Sequence, residues 1–134
     1  MLKVKNVSCG YNGEDVVFDI SFDMQAGQSL CLIGPNGCGK TTVLKAVAGL
    51  LPFKGEILLE GHPIQQMKRK ELATKIAYMG QFSSIYFSYS VYDTVMMGRY
   101  SRIKSGAFSQ PSDLDHRIVE ESLKRTGILD IAKR

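Results

Sequence analysis

Apolar and polar residues alternate over Leu2-Lys3-Val4-Lys5-Asn6-Val7, the spacing of a half-buried strand. Tyr11-Asn12-Gly13-Glu14 is a turn. Alternation resumes within Val16–Met24, where Phe18, Ile20, Phe22 and Met24 share one face. Gln28–Ile33 (Gln-Ser-Leu-Cys-Leu-Ile) is a short apolar run and predicts a buried strand. Thr42–Leu50 predicts a helix with Gly49 near its end. Glu56–Glu60 predicts a strand, broken by Gly61-His62-Pro63. Met67–Thr74 predicts a helix, and Ile76–Met79 a buried strand ending at Gly80-Gln81. Val91–Tyr100 predicts a short helix. Leu114–Thr126 carries Leu114, Ile118 and Leu123 on one face. Acidic residues lie early in it and Lys124-Arg125 late, which suits an amphipathic helix stopped by Gly127.

Between the apolar run at 28–33 and the helix that follows stands Gly34-Pro35-Asn36-Gly37-Cys38-Gly39-Lys40-Thr41-Thr42. It fits G-x-x-x-x-G-K-[ST], the P-loop, in its required setting of strand, glycine-rich loop and helix. Glycines at 34, 37 and 39 let successive backbone N–H groups turn toward one anion. Lys40 adds a positive charge for β- and γ-phosphates. Thr41 offers a hydroxyl to Mg²⁺, and the helix points its positive end at the same phosphates. The motif implies a bound nucleoside triphosphate. A glycine-rich turn without a ligand is the bland alternative.

Composition narrows the picture without redirecting it. The chain has 134 residues, 44% hydrophobic and 22% charged, with a formal net charge of +4, as an ordinary globular domain would. The tight basic cluster Lys68-Arg69-Lys70 suits a solvated helix face, so no nucleic-acid partner is expected. No apolar run is long enough to span a membrane, and the N-terminus lacks a signal-peptide core. Cys9, Cys31 and Cys38 are odd in number and lack C-x-x-C spacing, which argues against a disulfide framework or a metal site and for a reducing compartment. Cys31 is expected in the core. Cys38, beside a helix N-terminus and Lys40, is expected to be alkylated fastest and to be protected by nucleotide. His62 and His116 are assigned no chemistry. Phe82, Tyr86, Phe87, Tyr89, Tyr92 and Tyr100 are interleaved with serines, and fit either a small core or a partner surface.

Tyr11 before the P-loop, the P-loop itself and Gln81 after a predicted strand together resemble the ATP-binding subunit of ABC transporters, across residues 1–134. The resemblance implies an α/β fold: the P-loop NTPase core of an ABC nucleotide-binding domain, with an N-terminal antiparallel β portion and the start of a helical subdomain. It implies an ATP-binding core at 1–81 and helical subdomain at 82–134. It places Tyr11 on adenine, ATP on residues 34–42, and Mg²⁺ at Thr41 and Gln81, with Gln81 relaying to membrane-spanning permease subunits. Asp93–Tyr100 is similar to importers of iron–siderophore complexes, haem or cobalamin. The implied setting is a homodimer in the full-length form, cytoplasmic and peripheral on the inner face of the membrane.

The same family hydrolyses ATP with an apolar strand ending in Asp-Glu, a partner's Leu-Ser-Gly-Gly-Gln and a switch histidine. These 134 residues contain none of the three, so the chain is expected to be about the N-terminal half of such a domain. No catalytic residue is assigned and turnover near background is expected. Ser29–Ile33 is expected to present an open, apolar strand edge. The alternative is a non-hydrolytic nucleotide-binding fragment that docks on membrane subunits or has no activity. A small P-loop kinase would need a lid of arginines, and Arg99, Arg102, Arg117 and Arg125 are scattered.

Overall fold

The computed structural model describes residues 1–81, 89–103 and 110–134. The chain forms two compact units, Met1–Tyr78 and Met79–Arg134. Phe82, Tyr86 and Phe87 lie outside the described residues.

The first unit is built on an antiparallel sheet of order β2-β1-β3-β4: β1 (Leu2–Tyr11), β2 (Glu14–Met24), β3 (Phe53–Leu59) and β4 (His62–Pro63). Asn12 (φ 56°) and Gly13 (φ 86°) form the two-residue turn of the β1–β2 hairpin. Asn-Gly is the pair that adopts positive φ at both central positions most readily. Helix α1 (Lys40–Val47) contributes Val43 and Ala46 to the core, against Val4, Val7 and Cys9 of β1, Val17 of β2 and Ile57 of β3. Helix α2 (Arg69–Lys75) adds Leu72. Its last residue, Lys75, pairs with Glu60, which raises the ammonium's pKa and lowers the carboxyl's.

Bulges decide which strand residues face inward. Val4 and Val7 are both buried although three apart, and the β1–β2 register shifts between them. Asn6 (φ 48°) is the residue whose insertion returns Val7 to the core face. Its N–H donates to Ser21 Oγ (2.8 Å), and its side-chain amide to Asp19 Oδ1 (2.7 Å), so side chains replace the lost ladder bonds. Gly55 passes so near that a Cβ there would lie 2.3 Å from the Asn6 carbonyl oxygen. A second register shift occurs beside Asp19 (φ 51°), between the pairs Val7↔Ile20 and Cys9↔Val17. It turns Phe18 outward, 66% exposed, and Val17 inward. The simple alternation expected from Phe18 onward is therefore broken, because one extra residue exchanges the two faces.

Two expected strands are absent. Gln28–Ile33 has no regular secondary structure and pairs with no described strand, and Cys31, expected in the core, is exposed. Both edges of β1 are taken by β2 and β3, and an apolar run without a ladder partner cannot satisfy its backbone as a strand. Ile76–Met79 likewise forms no strand, and Met79 is 94% exposed. The expected open strand edge at Ser29–Ile33 is thus an exposed apolar segment instead.

The second unit holds α3 (Val91–Met97) and α4 (Asp113–Thr126). Both begin with capping boxes, Ser90 with Asp93 and Ser112 with Asp115, and Gly127 (φ 71°) ends α4 in the left-handed region. Val119 and Leu123 of α4 form its core with Ala132, and Val91, Val95 and Met96 pack against them. Of the expected face of α4, Leu123 is fully buried and Ile118 half-buried, but Leu114 is exposed, while Asp115 and Val119 are buried. Arg99 Nε donates to Asp115 Oδ1 at 2.8 Å. The first N–H groups of α3 donate to the chain's end, Val91 to Arg134 O (2.9 Å) and Tyr92 to Ala132 O (2.8 Å).

Candidate functional site

The site begins where the chain leaves the unpaired segment and enters α1. Gly37 (φ 81°) and Gly39 (φ 97°) occupy the left-handed region, which side chains rarely adopt. The loop folds tightly on itself: a Cβ at Gly34 would stand 2.7 Å from Cys38 Sγ, and one at Gly39 would stand 2.4 Å from Val17 Cγ2. Gly39 is therefore fixed twice, by its backbone angle and by the sheet beneath it.

Helix α1 differs from α3 and α4 at its start. Its N-cap is Gly39, with no side-chain cap and no acidic residue in the first turn. The other two helices open on capping boxes, in which Ser90 accepts from the Asp93 N–H and Ser112 from the Asp115 N–H. The initial N–H donors of α1 thus have no side-chain acceptor, and the helix dipole adds a positive field at that end. Lys40, the first residue of α1, folds back over the loop. Its ammonium donates to the Gly34 carbonyl (2.7 Å) and the Pro35 carbonyl (2.7 Å), and stands 3.7 Å from Cys38 Sγ. Uncapped amides and one ammonium at a single loop suit a polyanion such as a triphosphate.

The remaining expected residues divide by position. Asn36, Cys38 and Thr41 are exposed, so the Thr41 hydroxyl is open to a hard cation. Thr42 is buried, and its carbonyl accepts a hydrogen bond from the Cys9 thiol (3.9 Å). Tyr11 closes the β1–β2 hairpin at the pair Tyr11↔Glu14 and is 43% exposed. Lys45 of α1 donates to its hydroxyl at 3.3 Å and sits 5.4 Å from its ring centroid. Tyr11 and the P-loop helix are thereby joined through a residue absent from the expected set. Nothing in the local pattern marks Lys45, because its partner is 34 positions away in sequence. Gln81 is exposed and belongs to the second unit, and no strand precedes it. Among the described residues no group of three or more His, Cys, Asp or Glu side chains is placed to hold a metal, and no helix is long and apolar enough to cross a membrane.

The ABC transporter family profile matches residues 17–134. The chain belongs to the ABC transporter family. An uncharacterized ABC transporter ATP-binding protein of Haemophilus influenzae is 37% identical over all of this chain, which covers 51% of that protein. The hemin import ATP-binding protein HmuV of Mesorhizobium japonicum is 34% identical over all of the chain and 49% of its own length. The manganese transport system ATP-binding protein MntB of Bacillus subtilis is 35% identical, with 99% of this chain and 52% of that protein covered. The chain thus spans about half the length of these ABC relatives. Among solved structures, the inward-facing conformation of a transporter assigned to the metal-chelate ABC type superposes with a TM-score of 0.69 at 29% identity, covering 99% of this chain and 47% of that one. The ATP-binding subunit of another ABC transporter shares the fold, with a TM-score of 0.76 at 23% identity over 99% of this chain and 53% of that one. The α/β fold is accordingly that of an ABC ATP-binding domain; of the strand, loop and helix expected around residues 34–42, the loop and α1 are present and the preceding strand is not.

Proposed function

We propose that the chain binds Mg-ATP at residues 34–42, with adenine on Tyr11, phosphates on the loop amides and Lys40, and Mg²⁺ at Thr41. The observation that carries this reading is the Lys40 ammonium, held 2.7 Å from the Gly34 and Pro35 carbonyls at an uncapped helix start. Those neutral acceptors are weak partners for a cation, so exchanging them for phosphate oxygens is favourable. Equilibrium titration with a fluorescent ATP analogue tests it. Lys40→Ala removes a charge-assisted contact of about 1.5–3 kcal/mol, and so should weaken binding about 10- to 100-fold. Equal affinity in the two proteins would refute the placement.

In a full-length domain, the same site would drive import of a metal-bearing substrate through permease subunits, from a homodimer at the cytoplasmic face of the membrane. Support for an iron-chelate, haem or cobalamin-type cargo comes from the relatives named for hemin and for iron(3+)-hydroxamate import, the latter FhuC of Bacillus subtilis at 32% identity. Manganese systems are equally similar. Uptake of labelled hemin, ferric hydroxamate and manganese by cells lacking the gene separates these cargoes. A non-hydrolytic reading is favoured for these 134 residues, which hold no apolar strand ending in Asp-Glu. Steady-state phosphate release should stay near background. Turnover of order 1 s⁻¹ that disappears in Lys40→Ala would overturn that.

A further inference from the structure

Lys45 lies on α1, five residues beyond Lys40, and is half-buried. Its ammonium donates to the Tyr11 hydroxyl at 3.3 Å and lies 5.4 Å from the ring centroid, at the hydroxyl end of the ring. We infer that Lys45 is a positioning residue for the nucleotide base: it fixes the orientation of the Tyr11 ring so that a purine can stack there. This rests on the reading of Tyr11 as the adenine platform.

An aromatic side chain at the tip of a hairpin, 43% exposed, is free to change rotamer unless something holds it. Lys45 projects from a helix whose neighbouring residues Val43 and Ala46 are in the core, so its root is rigid. The hydroxyl bond restrains the ring from a rigid anchor. Ordering the platform beforehand removes that cost from binding. The same anchor is the helix whose uncapped first turn follows the P-loop, so it sets the base platform relative to that loop. A nucleoside triphosphate is the ligand class that uses both at once.

The test compares ATP with inorganic tripolyphosphate, which carries phosphates but no base, by titration calorimetry on the 134-residue chain. Lys45→Met should weaken ATP about 3- to 10-fold, the worth of one exposed hydrogen bond, and leave tripolyphosphate unchanged. Unchanged tripolyphosphate binding also shows that the loop remains folded. Lys45→Arg should restore ATP affinity to within about 2-fold, since a guanidinium N–H can donate to the same hydroxyl. Tyr11→Ala combined with Lys45→Met should be no weaker than Tyr11→Ala alone, because Lys45 acts through the ring. Equal losses for ATP and tripolyphosphate would make Lys45 a phosphate-binding charge and overturn the inference. Additive losses would overturn it as well. If Tyr11→Ala leaves ATP affinity unchanged, the adenine-platform reading fails first. If Tyr11→Ala weakens ATP and Lys45→Met does not, the role of Lys45 alone falls.

Discussion

Gly39 carries two constraints that no other residue type satisfies. Its φ of 97° strains any L side chain, and a Cβ would meet Val17 Cγ2 at 2.4 Å. Gly39→Ala should therefore lower the stability of the first unit by about 2–4 kcal/mol, from strain and overpacking together. A denaturant melt checks this, and a loss under about 0.5 kcal/mol, the range of an ordinary surface substitution, would contradict it. The cysteines make a second case. Cys38 is exposed at the Lys40 ammonium, whereas Cys9 is buried and its pKa is pushed up by burial and by Asp15. Mass-resolved alkylation should label Cys38 well before Cys9, and ATP should slow labelling at Cys38. Labelling of Cys38 that is indifferent to ATP would count against the nucleotide's position. Exposed Cys31 serves as the internal reference, since it lies outside the loop.

Helix starts are the elements in which chemistry and structure part company. Helices α3 and α4 open on serine–aspartate capping boxes, while α1 starts at Gly39 with no side-chain cap. Asp115 shows how much the closed form depends on ionisation. The Ser112 hydroxyl and N–H, with the Arg99 guanidinium, hold its pKa at about 2, below the ordinary 3.8. A depressed folded pKa stabilises above the unfolded value, and that contribution disappears as pH falls through the folded one. The melting temperature of the α3–α4 unit should be flat from pH 7 to about 5 and fall between about pH 4 and 2. Asp115→Asn should lower it at neutral pH and remove the Asp115 share of that acid transition. Identical acid profiles for the two proteins would show that the cap is not what titrates.

Each unit has its own buried cluster, one around Ile57 and one around Leu123. Truncating either to alanine removes a fully buried branched side chain, a loss of about 2–5 kcal/mol. Hydrogen exchange should accelerate across β1, β3 and α1 in Ile57→Ala, and across α3 and α4 in Leu123→Ala. A protein whose exchange is unchanged in these elements would refute the core assignment. Outside the clusters, Ile33 is 91% exposed and Leu30 nearly half exposed, side by side with the P-loop. This chain should associate as its concentration rises, and Ile33→Asp should reduce the association seen by light scattering.

Local chemistry was readable from the residues alone. The spacing of Gly34, Gly37, Gly39, Lys40 and Thr41 matches the P-loop pattern, and the structure has positive φ at Gly37 and Gly39 and close approach at Gly34 and Gly39. Asn12-Gly13 and Gly127 were equally direct, since each acts on its own neighbours. The faces of β1 and β2 were not, because bulges at Asn6 and Asp19 exchange them and a bulge depends on the opposing strand. Apolar runs at 28–33 and 76–79 resemble strands, yet a strand exists only where a partner supplies hydrogen bonds. The pairing of Lys45 with Tyr11 and of Arg99 with Asp115 also belongs to the folded chain. Contacts between distant positions follow from topology, and no local pattern encodes them.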